Sequence, residues 1–233
     1  RATLKGTIDP TARLRLAVAL HRFWLIRGHL AEGAAWLGDA LTPDVPPELR
    51  VPGLNAAGIL AYSSRDYETA SCFFRDALFV YQALADLPGQ AKCLNNLGLT
   101  EERLGHYDDA KKMFEQCLVL YQEVNDDARI ASVLSNLGMI ASRQSDFDTA
   151  ITHFHASIAL HRASNNTADL GVALHNLGAT LFEKGDFTAA LQEHRESLRV
   201  RTVMKHEEGI IDALFRIAQT TYALSREAEA VIA

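Results

Sequence analysis

The stretch "LNNLGLTEERLGHYDDA", residues 94–110, returns at 134–150 as "LSNLGMIASRQSDFDTA" and at 174–190 as "LHNLGATLFEKGDFTAA". The interval is forty residues each time. Sliding the chain by that interval superposes Leu94, Leu134 and Leu174, then Leu97, Leu137 and Leu177, then Gly98, Gly138 and Gly178, then Ala110, Ala150 and Ala190. An aromatic residue recurs as Tyr107, Phe147 and Phe187. The frame extends back to Leu54, Ala57, Gly58, Tyr67, Ala70, Phe74 and Ala77, and forward to Leu214, Ile217 and Ala218. Before Pro43 it shifts by three residues, yet Leu20, Trp24, Leu30, Gly33, Leu37 and Ala40 still fit. A period of this length marks stacked repeats, in which each unit buries its apolar face against its neighbours. The units read as 10–45, 51–87, 88–127, 128–167, 168–207 and a truncated 208–233, in one array over 1–233 behind a short tail at 1–8.

Each unit reads as two amphipathic helices. Leu94, Leu97, Gly98, Glu101 and Leu104 stand at i, i+3, i+4, i+7 and i+10, and Ala110, Phe114, Cys117, Leu118 and Tyr121 at i, i+4, i+7, i+8 and i+11. That is the spacing of one helix face. A small residue (Gly105, Ser145 or Gly185) stands where the first helix must stop, as Gly does one position past a helix end. Asp146 or Asp186 follows as the N-cap of the second helix. Asp9-Pro10 reads as another start, with proline at the first helical position. The mid-helix glycines carry a cost of about 0.5–1 kcal/mol relative to Ala, so their recurrence implies close helix approach. Gly98, Gly138 and Gly178 are expected to face Ala110, Ala150 and Ala190, with the aromatic residue that opens the second helix filling the space beside that contact.

Composition narrows the function. The chain has 233 residues, a formal charge of −6 and 48% hydrophobic residues, enough for a sizeable core. An acidic balance argues against a nucleic-acid-binding module. No run of 18 apolar residues and no signal-peptide pattern is present. Cys72, Cys93 and Cys117 are odd in number and lack a CxxC spacing, so buried, reduced thiols in a cytoplasmic protein are expected. There is no GxxxxGK[ST] phosphate cradle. The chain opens without Met and stops within a helical pattern at "SREAEAVIA", so a fragment of a longer protein is expected.

The pattern Leu-x-x-Leu-Gly, then a turn, then Ala-x-x-x-Phe (Ala70 to Phe74, Ala110 to Phe114, Ala150 to Phe154) resembles the tetratricopeptide repeat, over roughly residues 14–230. Two departures stand out. The period is forty rather than 34, which implies longer helices, and the proline that often ends the second helix is missing from most units. The long period is similar to that of kinesin light chains, LGN-type polarity adaptors and bacterial signalling ATPases. In the first unit, Gly28, Leu30 and Gly33 form a Gly-x-Leu-x-x-Gly turn beside Trp24 and Trp36, ahead of the Pro-rich "TPDVPPELR". That segment looks like the start of the helical-repeat region of STAND-type, LuxR-like or AfsR-like ATPase regulators. The resemblance implies an all-α, right-handed superhelix of about six helical hairpins whose last, truncated unit frays for want of a polar cap.

It also implies where binding occurs. In the family the first helices line a concave face, and an asparagine two residues before the glycine grips an extended peptide. By position these are Asn96, Asn136 and Asn176. An amide both donates and accepts, and the packing pattern requires only the Leu and Gly. An inter-repeat strut is an equal reading of the same amides, because buried amides are mostly satisfied within the protein. The face would also hold Asn95, Ser135 and His175, Leu99, Met139 and Ala179, and, a turn later, Glu102, Arg103, Ser142, Arg143, Phe182 and Glu183. Lys92, Phe215, Arg216 and Tyr222 extend it. A two-carboxylate clamp is not supported, since Lys92 stands nearly alone among basic residues.

No catalytic constellation is expected. The nine histidines are read as surface or groove residues. His153 and His155 point to different sides of a helix, and His175 and His194 lack a Cys or carboxylate cluster to complete a metal set. The acidic pairs at 108–109 and 126–127 suit helix starts. The function implied is a non-enzymatic sensor or binding region of a bacterial signalling or transcriptional regulator. A stand-alone scaffold or oligomerisation arm is the second reading, and a phosphatase-like or other catalytic repeat protein, for which no acidic or nucleophilic constellation recurs, the third. The expected partners are a protein, peptide or small inducer in the groove, other domains of the parent chain, or a second copy in a homo-oligomer. No nucleic acid, membrane, metal or cofactor is expected.

Overall fold

A computed structural model describes residues 9–232; the expected tail at 1–8 lies outside them. Among the described residues there are eleven helices and no strand. They are α1 (Pro10–Arg27), α2 (Leu30–Ala40), α3 (Pro47–Ser63), α4 (Tyr67–Ala83), α5 (Leu87–Leu104), α6 (Tyr107–Glu123), α7 (Asp127–Arg143), α8 (Phe147–Ala163), α9 (Thr167–Lys184), α10 (Phe187–Val203) and α11 (Glu207–Ile232). The architecture is an all-α solenoid of consecutive helix pairs. No described helix is long and apolar enough to cross a membrane. The chain forms two compact units, one up to Val124 and one from Asn125 onward.

In the first unit, α1–α3 close on Leu14, Trp24, Leu37, Ala56 and Leu60. The α3–α4 pair and α5 close on Val51, Leu54, Ala77, Val80 and Cys93, and on Ala70, Phe74 and Leu97. The second unit is centred on Phe154, Ile158, Leu170, Leu174, Leu177 and Ala190. All of these residues lie in the repeating register.

The joints obey one local rule. Helices α4, α6, α8 and α10 have 17 residues, α5 and α9 have 18. Most joints pass through a residue in the left-handed region. Gly105 and Gly185 serve at φ 82° and 91°, and Arg65, Ala85, Ser145, Asn165 and Lys205 serve without being glycine. At each, the next residue's N–H reaches back five positions, as in Asp66 to the Ala61 carbonyl and Asp146 to Ala141. This bond satisfies a carbonyl orphaned by the helix end. At most joints the same residue then caps the following helix, His106 being without a side-chain cap bond. Asp66, Asp86, Asp126, Asp146, Asn166 and Asp186 each accept from a backbone N–H three residues on, and Asp9 does so before Pro10. Caps of this kind contribute about 0.5–2 kcal/mol each.

The hairpin contact differs from the sequence expectation. The atoms nearest a Cβ placed on Gly98 are those of the Phe114 ring, not Ala110, at 2.6–2.8 Å. Gly58 meets Phe74 and Gly138 meets Phe154 in the same way. The aromatic residue in the middle of the second helix therefore lies on the glycine, while Ala70, Ala110, Ala150 and Ala190 are fully buried alongside. The aromatic residue that opens the second helix packs further along the first. Tyr67 meets Tyr62 at 5.4 Å between ring centroids, and Phe187 meets Phe182 at 5.1 Å. The crossing point of the two helices, which a single helix face does not reveal, sets this offset.

One further expectation is corrected. Cys72 is exposed on the outer side of α4, although Cys93 and Cys117 are buried. In the last unit α11 is one 26-residue helix that runs through Ser225-Arg226, the positions forty residues after Gly185-Asp186. Arg226 and Glu227 stand where the other hairpins have a capping or turn residue and an aromatic, and both are good helix formers.

Two stability outcomes follow. Ala85→Gly should raise the unfolding free energy by about 0.5–1 kcal/mol, because alanine at φ 53° is strained and glycine is not. Gly98→Ala should lower it by about 1–2 kcal/mol, since overpacking against Phe114 outweighs the gain in helix propensity. Gly138→Ala should cost less, because Phe154 leaves 2.9–3.0 Å there. Urea denaturation of the three variants checks both the signs and the order.

Candidate functional site

The expected binding residues fall on the first helices of the hairpins, and each unit carries its own set. In the first unit, α5 presents Asn95, Asn96 and Leu99 half-buried, with Lys92 and Arg103 exposed. The neighbouring α3 holds this face from beside it. Asn55, one repeat before Asn95, donates through Nδ2 to the Tyr81 hydroxyl at 3.2 Å and accepts from the Cys93 thiol at 3.5 Å. Arg103 Nε donates to the Tyr62 hydroxyl at 3.0 Å. At this register the amide of Asn55 is a brace. Burial raises the Cys93 thiol to about 12, which holds it protonated.

In the second unit, α7 and α9 lie side by side and bring Asn136 and Asn176 to the same register. Both amides are half-buried, as are Ser135, His175 and Met139, while Arg143 is exposed. Thr180 donates to the Ser142 hydroxyl at 3.1 Å, and Ser142 to Glu183 Oε2 at 3.4 Å. Phe182 is half-buried and packs on Phe187 and the core.

The histidines depart from expectation. His161 and His194 are buried, each 1% exposed, rather than at the surface. His194 occupies the position of Phe74, Phe114 and Phe154, and its ring lies on Gly178 as theirs lie on their glycines. His175 and His194 are neighbours, with ring centroids 5.9 Å apart. Their surroundings come from separate elements and carry no sequence signal. Arg201 Nη1 donates to the Gly209 carbonyl at 2.8 Å and to Asp212 Oδ2 at 3.1 Å. His175 Nδ1 lies 3.2 Å from the same oxygen, at ion-pair distance without hydrogen-bond geometry. Asp212 comes from the next repeat, which is why no spacing within a hairpin signals it. Among the described residues, no group of three or more His, Cys, Asp or Glu is arranged to hold a metal.

A second polar centre lies in the first unit. Glu101 is 4% exposed and fully paired. Oε1 accepts from Ser71 Oγ at 3.1 Å and Arg75 Nη2 at 2.9 Å, and Oε2 lies 2.9 Å from His106 Nδ1. The bond to Glu101 raises the His106 imidazole above its ordinary value.

Burial lowers His194 to about 4, with nearby His175 and Arg216 adding to the shift. Burial lowers His175 as well, with Asp212 partly opposing. A neutral imidazole in the fold and an ordinary one near 6.5 in the unfolded chain give the sign: the unfolded state takes up the proton first. Stability is then whole above about pH 6.5 and falls as the pH drops toward 4, by roughly 2–4 kcal/mol for His194. Thermal unfolding between pH 4 and 7.5 should show this fall, and His194→Phe should remove most of it and raise the melting temperature at every pH.

The pattern that defines the tetratricopeptide repeat matches residues 53–123 and 129–202. No curated protein matches the chain. BtubC (BKLC) from P. vanneervenii is similar in fold, with 22% identity and a TM-score of 0.72 over 84% of this chain and 82% of that one. The STAND protein with a tetratricopeptide repeat sensor from Pyrococcus horikoshii has a TM-score of 0.77 at 13% identity, over 91% of this chain but only 32% of its own length. NprR, solved in complex with its cognate peptide NprX, has a TM-score of 0.70 at 12% identity, over 99% of this chain and 68% of that one. With more than half of its residues inside the family pattern and the repeat's helix pairs in its structure, the chain belongs to the tetratricopeptide repeat family.

Proposed function

We propose that this chain is the non-enzymatic sensor or binding region of a bacterial, cytoplasmic signalling regulator, and that it takes a protein, peptide or small inducer on the face formed by its first helices. One observation carries the reading: Asn136 and Asn176 stand at one register on adjacent helices α7 and α9, half-buried, with Ser135, His175 and Met139 around them. Two amides in a row can each exchange a donor and an acceptor with an extended backbone, which is how a helical groove holds peptide without demanding one side-chain sequence. The fold is shared with a STAND protein that has a tetratricopeptide repeat sensor and with NprR, which was solved with its cognate peptide, and this supports the reading by analogy. Asn95, Asn96, Lys92, Leu99 and Arg103 would form the corresponding face of the first unit.

Asn136→Ala combined with Asn176→Ala should weaken a partner recovered by pull-down at least tenfold in isothermal titration, about 1.4 kcal/mol, with the melting temperature little changed. Unchanged affinity with a lowered melting temperature would make the two amides struts and overturn the assignment.

A further inference from the structure

We propose that the junction of α9, α10 and α11 is a binding site for a single carboxylate group, held by Arg216 and His194. The proposal goes beyond the groove reading and does not use the Asn136 and Asn176 amides.

Register singles out this junction. The other repeats supply three or four references for each position, and five departures from them converge here. His194 replaces Phe74, Phe114 and Phe154. Arg201 replaces Tyr81, Tyr121 and His161. His175 replaces Asn55, Asn95 and Ser135. Asp212 replaces Pro52, Lys92, Ser132 and Val172. Arg216 replaces Ala56, Asn96, Asn136 and Asn176.

Unmet hydrogen bonding marks the same place. Both ring nitrogens of His194 are buried without a partner, and so is Nε of Arg216. Arg216 uses only Nη1, toward Gln219 Oε1 at 3.2 Å. Buried polar groups are nearly always paired, and an orphaned donor is costly. Phenylalanine would fill the space beside Gly178 at no such cost, as it does in three other hairpins.

Charge points the same way. Arg201 and Arg216 are cationic, both imidazoles are held neutral, and Asp212 is the one anion paired in the cluster. One positive charge is left over. A carboxylate is an acceptor-only group with two oxygens and a charge of minus one, so it balances the charge while one oxygen faces Arg216 Nε–H and the other the His194 N–H. Asp212 and His175 are partly open to solvent, at 44% and 16% side-chain exposure, and give the group its way in.

The test uses the chain as it stands, with its histidines labelled and their ring C–H resonances followed by NMR. Sodium acetate is titrated against sodium chloride at matched ionic strength. Acetate should move the His194 and His175 resonances saturably and raise the pH midpoint of their titration, and chloride should not. His194→Phe should keep the fold and weaken the acetate response of His175 at least tenfold, and Arg216→Met should weaken the response of both histidines similarly. Asn136→Ala with Asn176→Ala should leave it intact, so failure of the groove reading and failure of this one are separable. Tri-alanine with a free C-terminus, compared with its amide, tells the source: tighter binding of the free acid than of acetate assigns a peptide carboxylate, and equal binding assigns a small free acid. An equal response to acetate and chloride, or an acetate response that survives in His194→Phe and Arg216→Met, would overturn the proposal.

Discussion

In three hairpins a phenylalanine ring lies on the bare backbone of a glycine, at Gly58, Gly98 and Gly138. The rest of the repeat depends on that contact. It holds the two helices so close that alanine is the residue at 70, 110, 150 and 190, each fully buried. One further position on the second helix is forced small as well, and there the chain places Ala77, Cys117, Ser157 and Ser197. Three of these reach a carbonyl of the first helix: Cys117 that of Ala91 at 3.1 Å, Ser157 that of Ala131 at 2.7 Å and Ser197 that of Gly171 at 2.8 Å. A polar atom is tolerated in the core because close approach brings an acceptor within reach.

Close approach also dictates the joints. Two helices that touch along their length must be joined by a short turn, and one left-handed residue followed by an N-cap provides it. The same device serves within and between hairpins, so helices of 17 or 18 residues plus a short joint fill about half the forty-residue period. Local chemistry and tertiary packing thus call for the same residues, the consistency expected of a minimally frustrated sequence. Where local chemistry is lost, at Ser225-Arg226, the turn is lost with it and α11 continues.

What the sequence could disclose follows from this division. Helix faces, stops and caps are local signals, and Gly105, Gly185, Asp146 and Asp186 do what their spacing predicts. Which ring meets which glycine depends on where two helices cross, so Phe114 rather than Ala110 was legible only in three dimensions. The same holds for the side on which Cys72 falls and for the burial of His161 and His194. The shared register of Asn136 and Asn176 can be read from the forty-residue period. The Arg201–Asp212 pair beside His175 cannot, because Asp212 enters from the following repeat.

A repeat protein carries its own controls, since the same backbone environment recurs with different side chains. Glu101 and His194 are both departures from their sibling positions and both are buried, yet they differ in kind. Glu101, where other units have Ala61, Ala141 and Leu181, arrives with Ser71, Arg75 and His106 to meet both of its oxygens. The interaction is closed, and a structural role accounts for it in full. His194 replaces a phenylalanine that would fit the same place beside Gly178, and neither of its nitrogens meets anything in the fold. A paired departure stabilises. One left open at a cost to stability, beside an uncompensated arginine, has its account outside the chain, in a group that supplies both the missing acceptor and the missing charge.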